Sequence, residues 1–222
     1  MGSKLIILPD CEITDAREIN LDDCARRFFP KGACAAENTL LDPAICQRMV
    51  DRAHAEAGCS WSFGGYLENR SHLWRSSYME DTGGFIHLGV DCNVAAGNRV
   101  AAPYDCTVLH IFDDGETPQG WGPRLTVAPA DPSLPYLILA HLEPLTLGLG
   151  QSISKGEVLS RVAEPPFNGR WFPHLHLQQV RRAWFDSLSA DEINNLDGYG
   201  HPSQLGTLQD RYPDPTWLVR LT

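Results

Sequence analysis

The pattern of apolar and polar positions changes texture along the chain. Asp42-Pro43 followed by AICQRMVDRAHAEAG predicts a helix, with Asp42 as N-cap, proline in the first turn and Gly58 as the stop. From about Trp61 to Arg75, WSFGGYLENRSHLWR has no clean period and reads as a packed aromatic, glycine-rich loop. Beyond it, short apolar and β-branched runs (IHLGVDCNV, RVAAPYDCTVLHIF, RLTVAP, YLILAHL, HLHLQQV) alternate with turn clusters at AAGN, DDGETPQG, ADPSLP and PFNG, the texture of an all-β core. Ser189 to Glu192 has capping-box spacing ahead of a short helix, and Pro213 and Pro215 then enforce an extended tail. The expected organisation is mainly β: a helical N-terminal segment over residues 1–62, a β domain over 63–182 and a short helical C-terminal extension over 183–222.

Composition narrows the function classes. At 222 residues the chain can bury a substantial core without covalent staples. Its formal net charge of -10 disfavours a nucleic-acid partner, which would require a basic face. No apolar tract reaches the roughly 18 residues of a transmembrane helix. The seven cysteines include no C-x-x-C pair and read as reduced, mostly buried thiols. The apolar run before Pro9 is too short for a secretory signal, so the sequence as it stands reads as cytoplasmic, and as periplasmic or secreted if a leader has been trimmed.

Candidate chemistry concentrates in three of the strand-like runs. His174 and His176 sit two apart and share a face of a strand. His87 and Asp91 are four apart, an even spacing that places them on one face of a regular strand, and Gly89, Val90 and the AAGN turn favour strand over helix. His141 closes the most hydrophobic strand candidate. Imidazole and carboxylate suit zinc, and a catalytic zinc needs only three protein ligands. Five groups therefore leave two to move protons, which points to a hydrolase.

In that order, HLGVD, AAGNRVAAPYDCTV, AHL, GQSISKGEVL and PHLHLQ closely resemble the LytM and lysostaphin-like zinc metallopeptidases of the M23 family, over about residues 85 to 180. The resemblance implies a compact antiparallel β-sheet core of the duplicated-hybrid-motif type, with a groove. Carried over by position, it makes His87, Asp91 and His176 the Zn2+ ligands and His141 and His174 the catalytic histidines. The activity it implies is endopeptidase cleavage of peptide or peptidoglycan, by a water that the metal activates. Leu177-Gln178 stands where the family often has Phe-Glu, and EPPFNGRWFP replaces its glycine-rich approach.

Other readings attach to single residues. His54, His110 and Cys92 read as structural, Arg70, His72 and Arg75 as parts of a packed loop, and Tyr66 and Trp171 as candidate groove residues. HLGVD also resembles the active-site motif of phosphotransferase IIA proteins, in which His72 and His87 would form a paired-histidine site. A non-catalytic, wall-binding or regulatory member of the family is a third reading. Nothing in the sequence sets the oligomeric state.

Overall fold

The computed structural model describes residues 4–30, 38–115 and 117–220. Twelve strands are found there: β1 (Ala16–Glu18), β2 (Trp61–Gly64), β3 (Ile86–His87), β4 (Val90–Asn93), β5 (Arg99–Ala101), β6 (Cys106–Asp113), β7 (Pro123–Pro129), β8 (Tyr136–Ala140), β9 (Ser152–Ile153), β10 (Val158–Arg161), β11 (Leu175–Val180) and β12 (Tyr199–Gly200). Six short-to-medium helices accompany them: α1 (Leu21–Phe28), α2 (Pro43–Ala57), α3 (Tyr78–Thr82), α4 (Arg182–Phe185), α5 (Ala190–Asn194) and α6 (Leu205–Arg211). The protein is mainly β, as the alternating runs suggest.

Eight strands form one sheet in the order β1-β2-β4-β11-β8-β7-β6-β9. Its ladders are antiparallel except for the β1–β2 pair, which is parallel. β10 pairs with β5 and β12 with β3 in two smaller sheets. Alternation along β11 and β4 sends Leu175, Leu177, Val90 and Cys92 into the main apolar core, with Leu125, Val127, Leu137 and Leu139 from β7 and β8. The opposite face carries Asp91 on β4 and His176 on β11, with His174 just ahead of β11, all buried. Two smaller cores wall that face. One combines α1 and α2 with Leu73, Trp74, Met79 and Phe172. The other packs Ile138 and Val180 against Phe185, Leu196, Leu208 and Tyr212 of the C-terminal region.

Several local expectations need correction. Residues 1–62 are not simply helical, since Leu5, Ile7, Leu8 and Cys11 belong to the main core and β1 extends the main sheet. Nor is WSFG part of a loop: it forms β2, whose four residues are all buried, with Trp61 and Phe63 in the main core and Ser62 accepting from Asn93. His87 and Asp91 do not share one strand either. Leu88 and Gly89 separate β3 from β4, and a Cβ on Gly89 would lie 2.4 Å from the Leu177 carbonyl oxygen and 2.6 Å from the His176 ring, an approach only glycine permits. The predicted caps are present: Asp42 accepts from Ala44 and Ile45 at the start of α2, Gly58 ends it at φ 62°, and Ser189 and Glu192 form a capping box before α5. The six described cysteines are free thiols, five of them buried, while Cys34 lies outside the described residues.

Candidate metal centre

Sheet register assembles the site. In the β11 ladders His176 stands opposite Asp91 of β4 on one side and Ala140 of β8 on the other. Ala140 is followed by His141, whose φ of 63° lies in the left-handed region that a non-glycine residue enters at a cost of roughly 1 kcal/mol or more. That turn is fixed by the bonds from His141 N to the Trp121 carbonyl and from Ala163 N to the His141 carbonyl. His87 arrives from β3, which is held between Tyr199 of β12 and the Gly65–Glu68 loop. All five residues singled out by sequence are thus brought together, and none is more than 6% exposed.

Hydrogen bonds on the far side of each ring settle which nitrogen faces inward. His87 Nδ1 donates to the Gly65 carbonyl at 2.9 Å, leaving the Nε2 lone pair toward the centre. His176 Nε2 donates to Gln178 Oε1 at 3.0 Å; the amide orientation is fixed because Gln178 Nε2 donates to the Asp197 carbonyl, and the Nδ1 lone pair is left inward. Nε2 of His87, Nδ1 of His176 and Oδ1 of Asp91 then form a triangle with sides of 3.0, 3.0 and 3.3 Å. Three lone-pair donors converge with no proton between the two imidazoles, an arrangement that repels itself unless a cation sits among them. A tetrahedral zinc with bonds of about 2.0–2.1 Å has ligand–ligand edges of about 3.3 Å, so donor type and spacing both fit.

His141 and His174 stand beside this triangle. Each donates Nδ1–H to a backbone carbonyl, Asn168 at 2.9 Å and Phe172 at 2.7 Å, which leaves Nε2 unprotonated in both. His174 Nε2 lies 3.7 Å from Asp91 Oδ1, and the His141 and His174 rings are 4.4 Å apart. Phe172 stacks on His174 at 4.6 Å between ring centroids and Trp121 on His141 at 6.4 Å.

Burial dominates the electrostatics. It lowers His87 to about 4, helped by Arg70, and lowers His174; it holds His141 well below the ordinary histidine value, with His174 and His176 adding to the effect. All three are neutral near pH 7. Burial alone would raise the Asp91 carboxyl, but His87 and His174, once protonated at low pH, and the permanent charge of Arg70 hold it well below the carboxylate range. Asp91 is the anion of the cluster.

The site opens on a cavity of about 80 Å3. Trp171 lines it, along with Trp121, Tyr78, Tyr199 and Asp197. Tyr66 is turned elsewhere, its hydroxyl donating to the Tyr212 carbonyl. His72 is not paired with His87, since its ring contacts the Phe29 carbonyl and its backbone N donates to Asp22. His54 bonds Ser62, Cys92 is in the main core, and His110 lies on β6 outside the lining. Arg70 and Gln178 are contacts that sequence reasoning did not assign. Arg70 stood out only as a cation among aromatics, and Gln178 only as the departure after H-x-H.

No family model matches the chain, and no curated protein does. Solved structures do match. One is the solution structure of lysostaphin, at 18% identity over 56% of this chain and 44% of that one, with a TM-score of 0.37. Another is a zinc containing peptidase from Vibrio cholerae, at 22% identity over 42% of this chain and 26% of that one, TM-score 0.35. A third is the catalytic domain of the antimicrobial peptidase lysostaphin from Staphylococcus simulans, at 19% identity over 56% and 80%, TM-score 0.38. The match spans less than half of the first two of these chains.

Proposed function

We propose that the chain is a zinc-dependent metallopeptidase that hydrolyses peptide bonds, with peptidoglycan cross-links or stem peptides as its substrate. The observation that carries this reading is the convergence of three buried lone-pair donors, His87 Nε2, His176 Nδ1 and Asp91 Oδ1, beside two further neutral histidines. The first three hold the ion. Zinc bound there supplies a Lewis acid and a water acidified toward a pKa of about 7.

His141 and His174 carry the proton work. Each has its Nδ1–H committed to a backbone carbonyl, so Nε2 is the group available to accept a proton and to return one to the leaving amine. Their lowered pKa values keep them in the accepting form at neutral pH. In their protonated forms they also counter the negative charge that develops on a peptide carbonyl under attack. Trp121 and Phe172 limit the ring motions of these histidines by stacking.

The test is release of new amino groups from purified peptidoglycan and from short glycine- or D-residue-containing peptides. Cleavage should stop with a zinc chelator and return on adding zinc. Failure of zinc-loaded protein to cut any bond in that panel would refute the peptidase reading.

A further inference from the structure

Asp91 does not reach the triangle unaided. Its second oxygen, Oδ2, accepts from Arg70 Nη1 at 2.6 Å, deep in the protein, where both side chains are at most 4% exposed. Only one arm of the guanidinium engages the carboxylate; Nε faces Glu68 Oε1 at 3.5 Å. Glu68 is itself fixed, accepting from the Asp22 backbone at 2.8 Å. Arg70 is thus a buried cation between two carboxylates, which makes burial tolerable.

The surroundings hold this contact in one geometry. Arg70 N donates to the Phe85 carbonyl and its own carbonyl accepts from Trp74 N, both at 2.8 Å, while the Trp74 ring lies 5.2 Å beneath the guanidinium. The same ring meets His87 edge-on at 5.8 Å. Gly65, at φ 101°, makes room for both residues. A Cβ there would lie 2.3 Å from Arg70 Nη2 and 2.8 Å from His87 Nδ1, and the Gly65 carbonyl is the acceptor that orients His87.

We propose that Arg70 is a positioning residue that fixes how Asp91 binds zinc: by occupying Oδ2 it confines the carboxylate to one-oxygen ligation through Oδ1. This rests on the zinc reading of the site. The consequence follows from counting ligands. Two imidazoles and one oxygen leave a fourth position for water, whereas a carboxylate free to bind through both oxygens would add a fifth ligand beside that water and crowd it. A lysine would keep the charge but end about one bond short of Nη1, and it lacks the planar fork.

The test uses the whole 222-residue chain loaded with Co(II), whose visible bands are more intense in four-coordinate sites than in five-coordinate ones. Arg70→Met and Arg70→Lys are compared with wild type by Co(II) band intensity and by hydrolysis rate. The second variant keeps a cation beside Asp91 should the first fail to fold. Both variants should bind Co(II) with weakened bands and lose turnover by roughly 10–100-fold, the usual effect of removing a partner of a metal ligand. Unchanged bands and turnover in either folded variant would overturn the proposal, reducing Arg70 to buried packing. Wild-type protein that takes up neither Co(II) nor zinc would instead overturn the zinc reading, and Arg70's role with it.

Discussion

His141 and His176 differ in what surrounds them, and the difference predicts separable losses. His176 contributes one corner of the donor triangle, while His141 stands outside it, with its Nδ1–H tied to the Asn168 carbonyl. His141→Ala should therefore keep zinc and lower hydrolysis by about 10²–10⁴-fold, the usual contribution of an acid–base group. His176→Ala should lose both. Zinc content and turnover measured on the same preparations check this; metal loss in His141→Ala would show that the roles are exchanged. A pH effect also belongs at this scale. Burial and Arg70 lower His87 to about 4 against an ordinary value near 6.5. As pH falls below about 6.5, the unfolded chain takes up a proton that the folded chain refuses, so stability is lost progressively down to about pH 4. Asp91, held well below the carboxylate range, contributes its loss only at lower pH. The melting temperature of metal-free protein should accordingly drop between pH 7.5 and 5. Scans that coincide across that range would contradict the linkage.

At the scale of elements, the site depends on how closely β11 lies against the link between β3 and β4. Gly89→Ala would place a methyl 2.4 Å from the Leu177 carbonyl oxygen, which is backbone and cannot rotate away. The strands would have to separate, at a cost of about 1–3 kcal/mol, and the donor triangle would widen. Urea unfolding and zinc affinity should both weaken; a substitution neutral in both would mean that this approach is not what closes the site. The same element explains what the sequence revealed. Period-two spacing made His174 and His176 legible as neighbours, because extended chain runs from His174 into β11, whose Leu175 and Leu177 enter the main core while His176 faces away from it. β2 was not legible, because its four residues are too few to set a period and run directly into glycine-rich, aromatic chain. β1 was equally silent, as three partly or fully exposed residues at the sheet edge carry no apolar signal. Arg70 lies in an irregular loop, and its contact with Asp91, 21 residues away, exists only once Gly65 and Trp74 have packed around it.

Across the whole molecule, both flanking regions help to enclose the centre. The cavity is lined from the N-terminal side by Leu40 and Cys46 and from the C-terminal side by Asp197 and Tyr199. The helical segment, the sheet and the extension therefore meet at the donor triangle. Among the described residues no helix is long and apolar enough to cross a membrane. Because an ion held by three buried donors binds the folded chain and not the unfolded one, saturation at about a thousand times the dissociation constant adds about 4 kcal/mol of stability. Chelation should lower the melting temperature by several degrees, and zinc should restore it. An unchanged transition with and without chelator would speak against a metal joined to the fold.

Elemental analysis of protein purified without chelators asks whether His87, Asp91 and His176 form a zinc site. One zinc per chain in wild-type protein, falling to near zero in His176→Ala with the fold retained, is the predicted result. Wild-type protein carrying no stoichiometric zinc, and taking up none when it is supplied, would show that these three residues are not a zinc site.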